Sequence, residues 1–106
     1  MAYKITNKRP KTKGNGLVII DDLNYQVWRD TRTPKQEKKL FSLIREGKNK
    51  ESDKLTDKII KDEKRNLGSY QKTKNAGKQL AKKYNISAFD RGTRKYITPK
   101  SAFIKK

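Results

Sequence analysis

The sequence predicts a small α+β fold that is mostly helical: a short β-hairpin, then about three helices, with extended basic tails at both ends. Three observations predict it. Two runs rich in β-formers, Leu17-Val18-Ile19-Ile20 and Tyr25-Gln26-Val27-Trp28, flank the turn residues Asp21-Asp22-Leu23-Asn24. Helix-start chemistry recurs after them, at Thr33 and Ser69. The ends are far more basic than the middle.

The elements follow in order. Residues 1–16 hold Pro10, Gly14 and Gly16 with little periodicity, and read as an extended basic arm. Residues 17–98 read as the body and 99–106 as a basic tail. A lone hairpin is marginal in water, so it must pack on something. Thr33 can cap a first helix, Pro34 suits its first position, and Gln36 completes a capping-box pattern. Leu40, Phe41, Leu43 and Ile44 supply an apolar face, and Gly47 stops the helix. A second helix is expected over residues 52–66, anchored only by Leu55, Ile59 and Ile60 and otherwise alternating in charge. Gly68 breaks it. Ser69 caps a third helix over residues 70–84, and Asn85 suits a left-handed cap. Residues 86–89 read as a short strand.

Composition bounds the function. The chain has 106 residues, with 29 Lys+Arg against 11 Asp+Glu, a net charge of +18. Residues 1–16 carry +5, residues 17–70 +3 and residues 71–106 +10. Only 31% of residues are hydrophobic, so a small core is expected, ordered by a surrounding assembly. A polyanionic partner would relieve the self-repulsion and release counterions. Nucleic acid is the expected partner, as packaged DNA or ribosomal RNA, alongside protein neighbours such as capsid protein. No segment approaches the ~18 continuous apolar residues of a spanning helix, and Met1-Ala2-Tyr3-Lys4 opens no signal-peptide run. Cysteine and histidine are absent, which excludes disulfides, thiol chemistry, zinc fingers and histidine acid–base catalysis. No cofactor or metal site is expected, and Asp21-Asp22 read as turn acids.

Three groups are candidates for phosphate contact. Lys74, Lys78 and Lys82 repeat every four residues and share a helix face. Arg91, Arg94, Lys95 and Tyr96 cluster near Gly92 and Lys100, where Arg can grip phosphate bidentately and Tyr can stack. Lys8, Arg9, Lys11 and Lys13 form the basic arm. Trp28, Phe41 and Ile44 are expected to dock a protein neighbour.

Two resemblances attach to the third helix. Residues 77–87 resemble the first helix and turn of a helix-turn-helix, with Ala81 at the small position and Asn85 at the turn. Arg91-Gly92-Thr93 stands where a recognition helix needs an apolar anchor. Over residues 76–96, Gly77, Lys78, Ala81, Ile86, Phe89, Asp90, Arg91 and Tyr96 resemble the C-terminal part of the ribosomal protein family that binds 5S RNA. That resemblance implies a helix, a strand and a basic loop. Ile97-Thr98-Pro99 replaces the family's next His-Gly-Arg, its closing helix is missing, and residues 1–70 do not follow it.

The function expected from these features is non-enzymatic. It is that of a basic structural protein inside a phage virion, between packaged DNA and capsid. A cytoplasmic, ribosomal or ribosome-associated protein is the alternative, and a small phage regulator of a host protein the second.

Overall fold

The computed structural model describes residues 3–11 and 16–102. Six strands form one mixed sheet: β1 (Tyr3–Thr6), β2 (Leu17–Asp21), β3 (Gln26–Asp30), β4 (Ile60–Lys64), β5 (Ala88–Asp90) and β6 (Lys95–Pro99). Three helices accompany it: α1 (Pro34–Arg45), α2 (Asn49–Ile59) and α3 (Tyr70–Tyr84). The strand order is β1-β6-β5-β2-β3-β4, with β2 and β5 parallel and every other pair antiparallel.

The expectation of a mostly helical fold with one hairpin and extended basic tails is therefore corrected, with residues 103–106 of the expected tail lying outside the described residues. The β2–β3 hairpin stands where its β-formers placed it, with Ile20 opposite Val27. Three further strands were hidden by their charge. Residues 60–64 were read as helix, yet the chain turns extended at Ile60 (ψ 123°) and runs as the exposed edge strand β4. Charged side chains suit an edge, where they discourage pairing with other chains. Tyr3–Thr6 is the opposite edge rather than a free arm, pairing Tyr3 with Pro99 and Ile5 with Ile97. β6 lies between β1 and β5, where a basic loop was expected, and its Pro99 falls at the strand end, where a missing N–H is tolerated. The chain then makes a 3-10 turn, Lys100–Ala102, whose Ala102 is fully buried. A helix-turn-helix is excluded as well, since α3 leads into strand β5.

Local chemistry explains the helices. Thr33 accepts from the Gln36 amide while the Gln36 side chain accepts from the Thr33 amide, closing the capping box of α1. Ser69 caps α3. Asn85 ends it in the left-handed region (φ 54°), and the Ile86 amide bonds back to Ala81 O at 3.0 Å.

The core lies between α3 and one face of the sheet. Val18, Ile20, Val27, Leu80, Ala81, Ile86, Ala88 and Ile97 form it. Burying an aliphatic side chain of this size contributes about 1.5–3 kcal/mol. Leu40, Leu43 and Ile59 are buried separately, in α1 and at the end of α2, and these two helices pack on each other. Of the two, only α2 lies in extended contact with the sheet, at β4, which follows it directly.

The closest approach in the core is at Gly77. A Cβ built there would fall inside the side chain of the fully buried Ile20. Gly77→Ala gains about 1 kcal/mol of helix propensity but loses about 1–3 kcal/mol by overpacking. A net loss near 1 kcal/mol lowers the melting temperature by about 4–8 °C. Ile20→Val should cost less beside Gly77→Ala than alone, because it removes an atom the new methyl meets. Thermal melts of the four proteins check both points, and a Gly77→Ala chain as stable as the parent would refute the contact.

Candidate nucleic-acid interface

α3 presents opposite chemistries on its two sides. Thr73, Gly77, Leu80 and Ala81 are buried against the sheet. The helix also carries Lys72, Lys74, Lys78, Lys82 and Lys83, and no acid. Among the described residues, none of these five lysines is in an ion pair. Like charges one turn apart destabilise a helix slightly, so packing of the apolar side holds it. Lys72 and Lys83 went unnoticed in the sequence because they break the four-residue stripe.

Two contacts join the predicted groups in space. The Tyr3 hydroxyl donates to Lys78 O at 3.4 Å, and the Lys78 ammonium lies 5.6 Å from the Tyr3 ring centre. The middle of the stripe is thus fastened to β1. At the other end, Lys74 lies 5.6 Å from the Tyr70 ring, and the Tyr70 hydroxyl donates to Asp90 at 3.0 Å. This brings Lys74 toward the β5–β6 turn that carries Arg91 and Arg94. Lys82 is exposed further along.

The turn cluster divides. Arg91 is 56% exposed and pairs with Asp21 at 3.6 Å. Arg94 holds a left-handed backbone (φ 59°), donates its amide to Asp90 O, and leaves its side chain exposed, as is Lys95. Tyr96 points to the other side of the sheet and packs on Phe89, ring centres 5.0 Å apart. In the N-terminal group, Lys8 and Lys11 are exposed, while Arg9 donates to Gly16 O at 2.8 Å. Lys13 lies outside the described residues. The expected docking residues do not share one element. Phe41 and Ile44 are 51% and 55% exposed on α1, whereas Trp28 is partly buried on β3.

The sequence also concealed an acid pair. Asp22 follows β2 and Asp90 ends the parallel strand β5, so their carboxyls meet beside Tyr70 and Gly92. Gly92 is required there, because a Cβ would overlap the Asp22 carboxylate. Both Asp22 oxygens are buried without a hydrogen-bond donor, a setting that favours the protonated carboxyl, whose hydroxyl can donate to Asp90. Burial, the bond to Asp90 and its charge push the Asp22 carboxyl up to about 6. Burial also raises Asp90, but hydrogen bonds from Asp22, Tyr70 and the turn amides outweigh it and hold that group low. Burial and the bond to Asp90 push the Tyr70 hydroxyl up to about 12. Among the described residues, no group of three acidic, cysteine or histidine side chains could hold a metal ion.

Comparison with protein-family models, curated proteins and solved structures finds no match. The resemblance to the 5S RNA-binding family therefore rests on its eight residues alone.

The acid pair sets a pH dependence. An acid raised in the folded state binds its proton more tightly than in the unfolded chain, so the stability it gives is full below pH 3.8 and is lost as pH rises through about 6. Asp22→Asn keeps a donor toward Asp90 without a titrating proton. It should leave stability unchanged near pH 4 and raise it above pH 7, by at most about 3 kcal/mol. Chemical denaturation across that range checks it, and an equal effect at both ends would show that the two acids do not share a proton.

Proposed function

We propose that this protein binds nucleic-acid backbone without catalysing a reaction, as a structural component of a nucleoprotein assembly. The observation that carries the reading is α3: five lysines and no acid outside its buried side, none of the five in an ion pair among the described residues. Cations left unpaired by the protein are available to phosphate oxygens, and each phosphate neutralised releases counterions. The Tyr3–Lys78 contact and the Tyr70 bridge extend this field to β1 and to the Arg91–Arg94 turn. The exposed pair Phe41 and Ile44, one turn apart on α1, supports a protein neighbour on the side of the less basic helices. The interior of a phage virion, between packaged DNA and capsid protein, is the setting we propose for such a two-sided basic protein.

Binding of duplex DNA should weaken steeply with salt. Replacing Lys74, Lys78 and Lys82 together by Ala should lower the slope of log affinity against log salt by about 2–3, since each phosphate contact contributes about 0.9. Salt titrations followed by anisotropy measure it. Weak, salt-insensitive binding by the parent chain would sink the reading, and an unchanged slope would mean that the stripe is only a solvated face.

A further inference from the structure

The sheet has a second face, opposite α3. Side chains alternate along a strand, so the residues between the core positions point there. Register places them in one row across four neighbouring strands. Tyr96 on β6 stands opposite Phe89 on β5, Phe89 pairs with Ile19 on β2, and Ile19 pairs with Trp28 on β3. All four are partly exposed. With strands about 4.8 Å apart, the row spans about 14 Å. Among the described residues, only α3 packs broadly on the middle strands, and it takes the other face. Beyond Tyr96 this face closes, since Ser87 and Thr98 are buried and share a hydrogen bond of 2.9 Å.

Next to the row is a shallow depression of about 310 Å³, lined by Ile19, Trp28, Ile60, Phe89, Arg32 and Arg91, with Asp30. Asp30 is already held by Arg32 at 2.8 Å. The depression therefore offers aromatic faces with one exposed guanidinium at its rim, that of Arg91, which is 56% exposed and 3.6 Å from Asp21.

We infer that this face stacks the unpaired bases of a single-stranded nucleic acid on Trp28, Phe89 and Tyr96, while the exposed guanidinium of Arg91, only loosely paired with Asp21 at 3.6 Å, holds phosphate. The inference rests on the backbone-binding reading above and adds strandedness to it. Charge selects the occupant. A second copy of the chain would bring +18 against +18. A single strand is a polyanion that also carries flat apolar rings, and these stack on aromatic side chains whatever the base. A duplex keeps its base faces inside, so it can meet the lysines but not the row. Platforms of this kind take two or three bases, which suits the length of the row.

Trp28 is the only tryptophan, so its fluorescence reports this face directly. The test titrates the full chain with oligonucleotides of about 12 nucleotides: oligo-dT, oligo-U, a duplex of the same length, and an abasic strand carrying only sugar and phosphate. Saturable quenching of Trp28 by oligo-dT or oligo-U, and not by the abasic strand or the duplex, is expected. The stronger of the two tells whether DNA or RNA is preferred. Phe89→Leu and Tyr96→Leu should weaken single-strand binding about ten-fold and leave duplex binding unchanged. Tyr96→Phe, which keeps the ring, should bind like the parent. Equal binding of all four probes without quenching overturns the inference and leaves the backbone-binding reading standing. Failure to bind any probe overturns both. Because the quenching experiment uses the parent chain, a variant that does not fold cannot decide it. Sedimentation showing a dimer that disappears in Tyr96→Leu would also overturn the proposal, by assigning the face to a second copy.

Discussion

Ile20 lies at the centre of β2 with no exposed surface, and α3 reaches it only because position 77 has no side chain. The rest of the fold depends on that approach. It sets the depth at which Leu80 and Ala81 meet Val18, Val27 and Ala88. It brings Tyr84 over β3, where the Arg29 guanidinium stacks 3.9 Å from the ring and pairs with Asp62 on β4 at 2.9 Å. It brings the first turn of α3 to the tip of β5, where Tyr70 meets Asp90. A core of small and β-branched residues can be thin if helix and sheet come this close. In a chain with 31% hydrophobic residues, that economy decides whether there is a core at all.

The same contact sorts the charge. Several acids are committed to arginines and turns of the sheet. Asp30 binds Arg32, Asp62 binds Arg29, and Asp21 binds the Asn24 turn and Arg91. Among the described residues, none of them forms an ion pair with a lysine of α3. Its lysines face outward from a helix whose inner side is committed to the sheet. The protein thus keeps a local excess of positive charge by spending its few carboxylates elsewhere. Its repulsion is a standing cost that an anionic partner would remove.

Legibility in the sequence followed the range of the interaction. Caps are local, and Thr33 with Gln36, Ser69 and Asn85 announced α1 and both ends of α3. The β2–β3 hairpin is also local. β1 and β4 pair with strands far away in the chain, and Lys4, Lys61, Lys64 and Lys95 disguised the alternation of β1, β4 and β6 as solvated tail or helix. The aromatic row failed for a related reason. Leu17-Val18-Ile19-Ile20 looks uniformly apolar, so nothing marked Ile19 as facing away from the core. A signal was nevertheless present at Phe89 and Tyr96, which flank the turn Arg91-Gly92-Thr93-Arg94 as hairpin partners do. The Asp22–Asp90 pair had no local signal, being 68 positions apart in a chain read without its sheet.

The pairing of β1 with β6 changes the valency of the molecule. Two free basic tails would act as separate hands, able to cross-link two strands of a polyanion. Tyr3 opposite Pro99 instead joins the two ends at one edge of the sheet. On the proposed function, an anion at β1 would already lie beside β6, so the first and last strands would meet it as one site rather than two. On that reading, the protein would coat a strand instead of bridging it. Compaction of a long polyanion would then come from contacts between neighbouring proteins, not from any one chain holding two segments together.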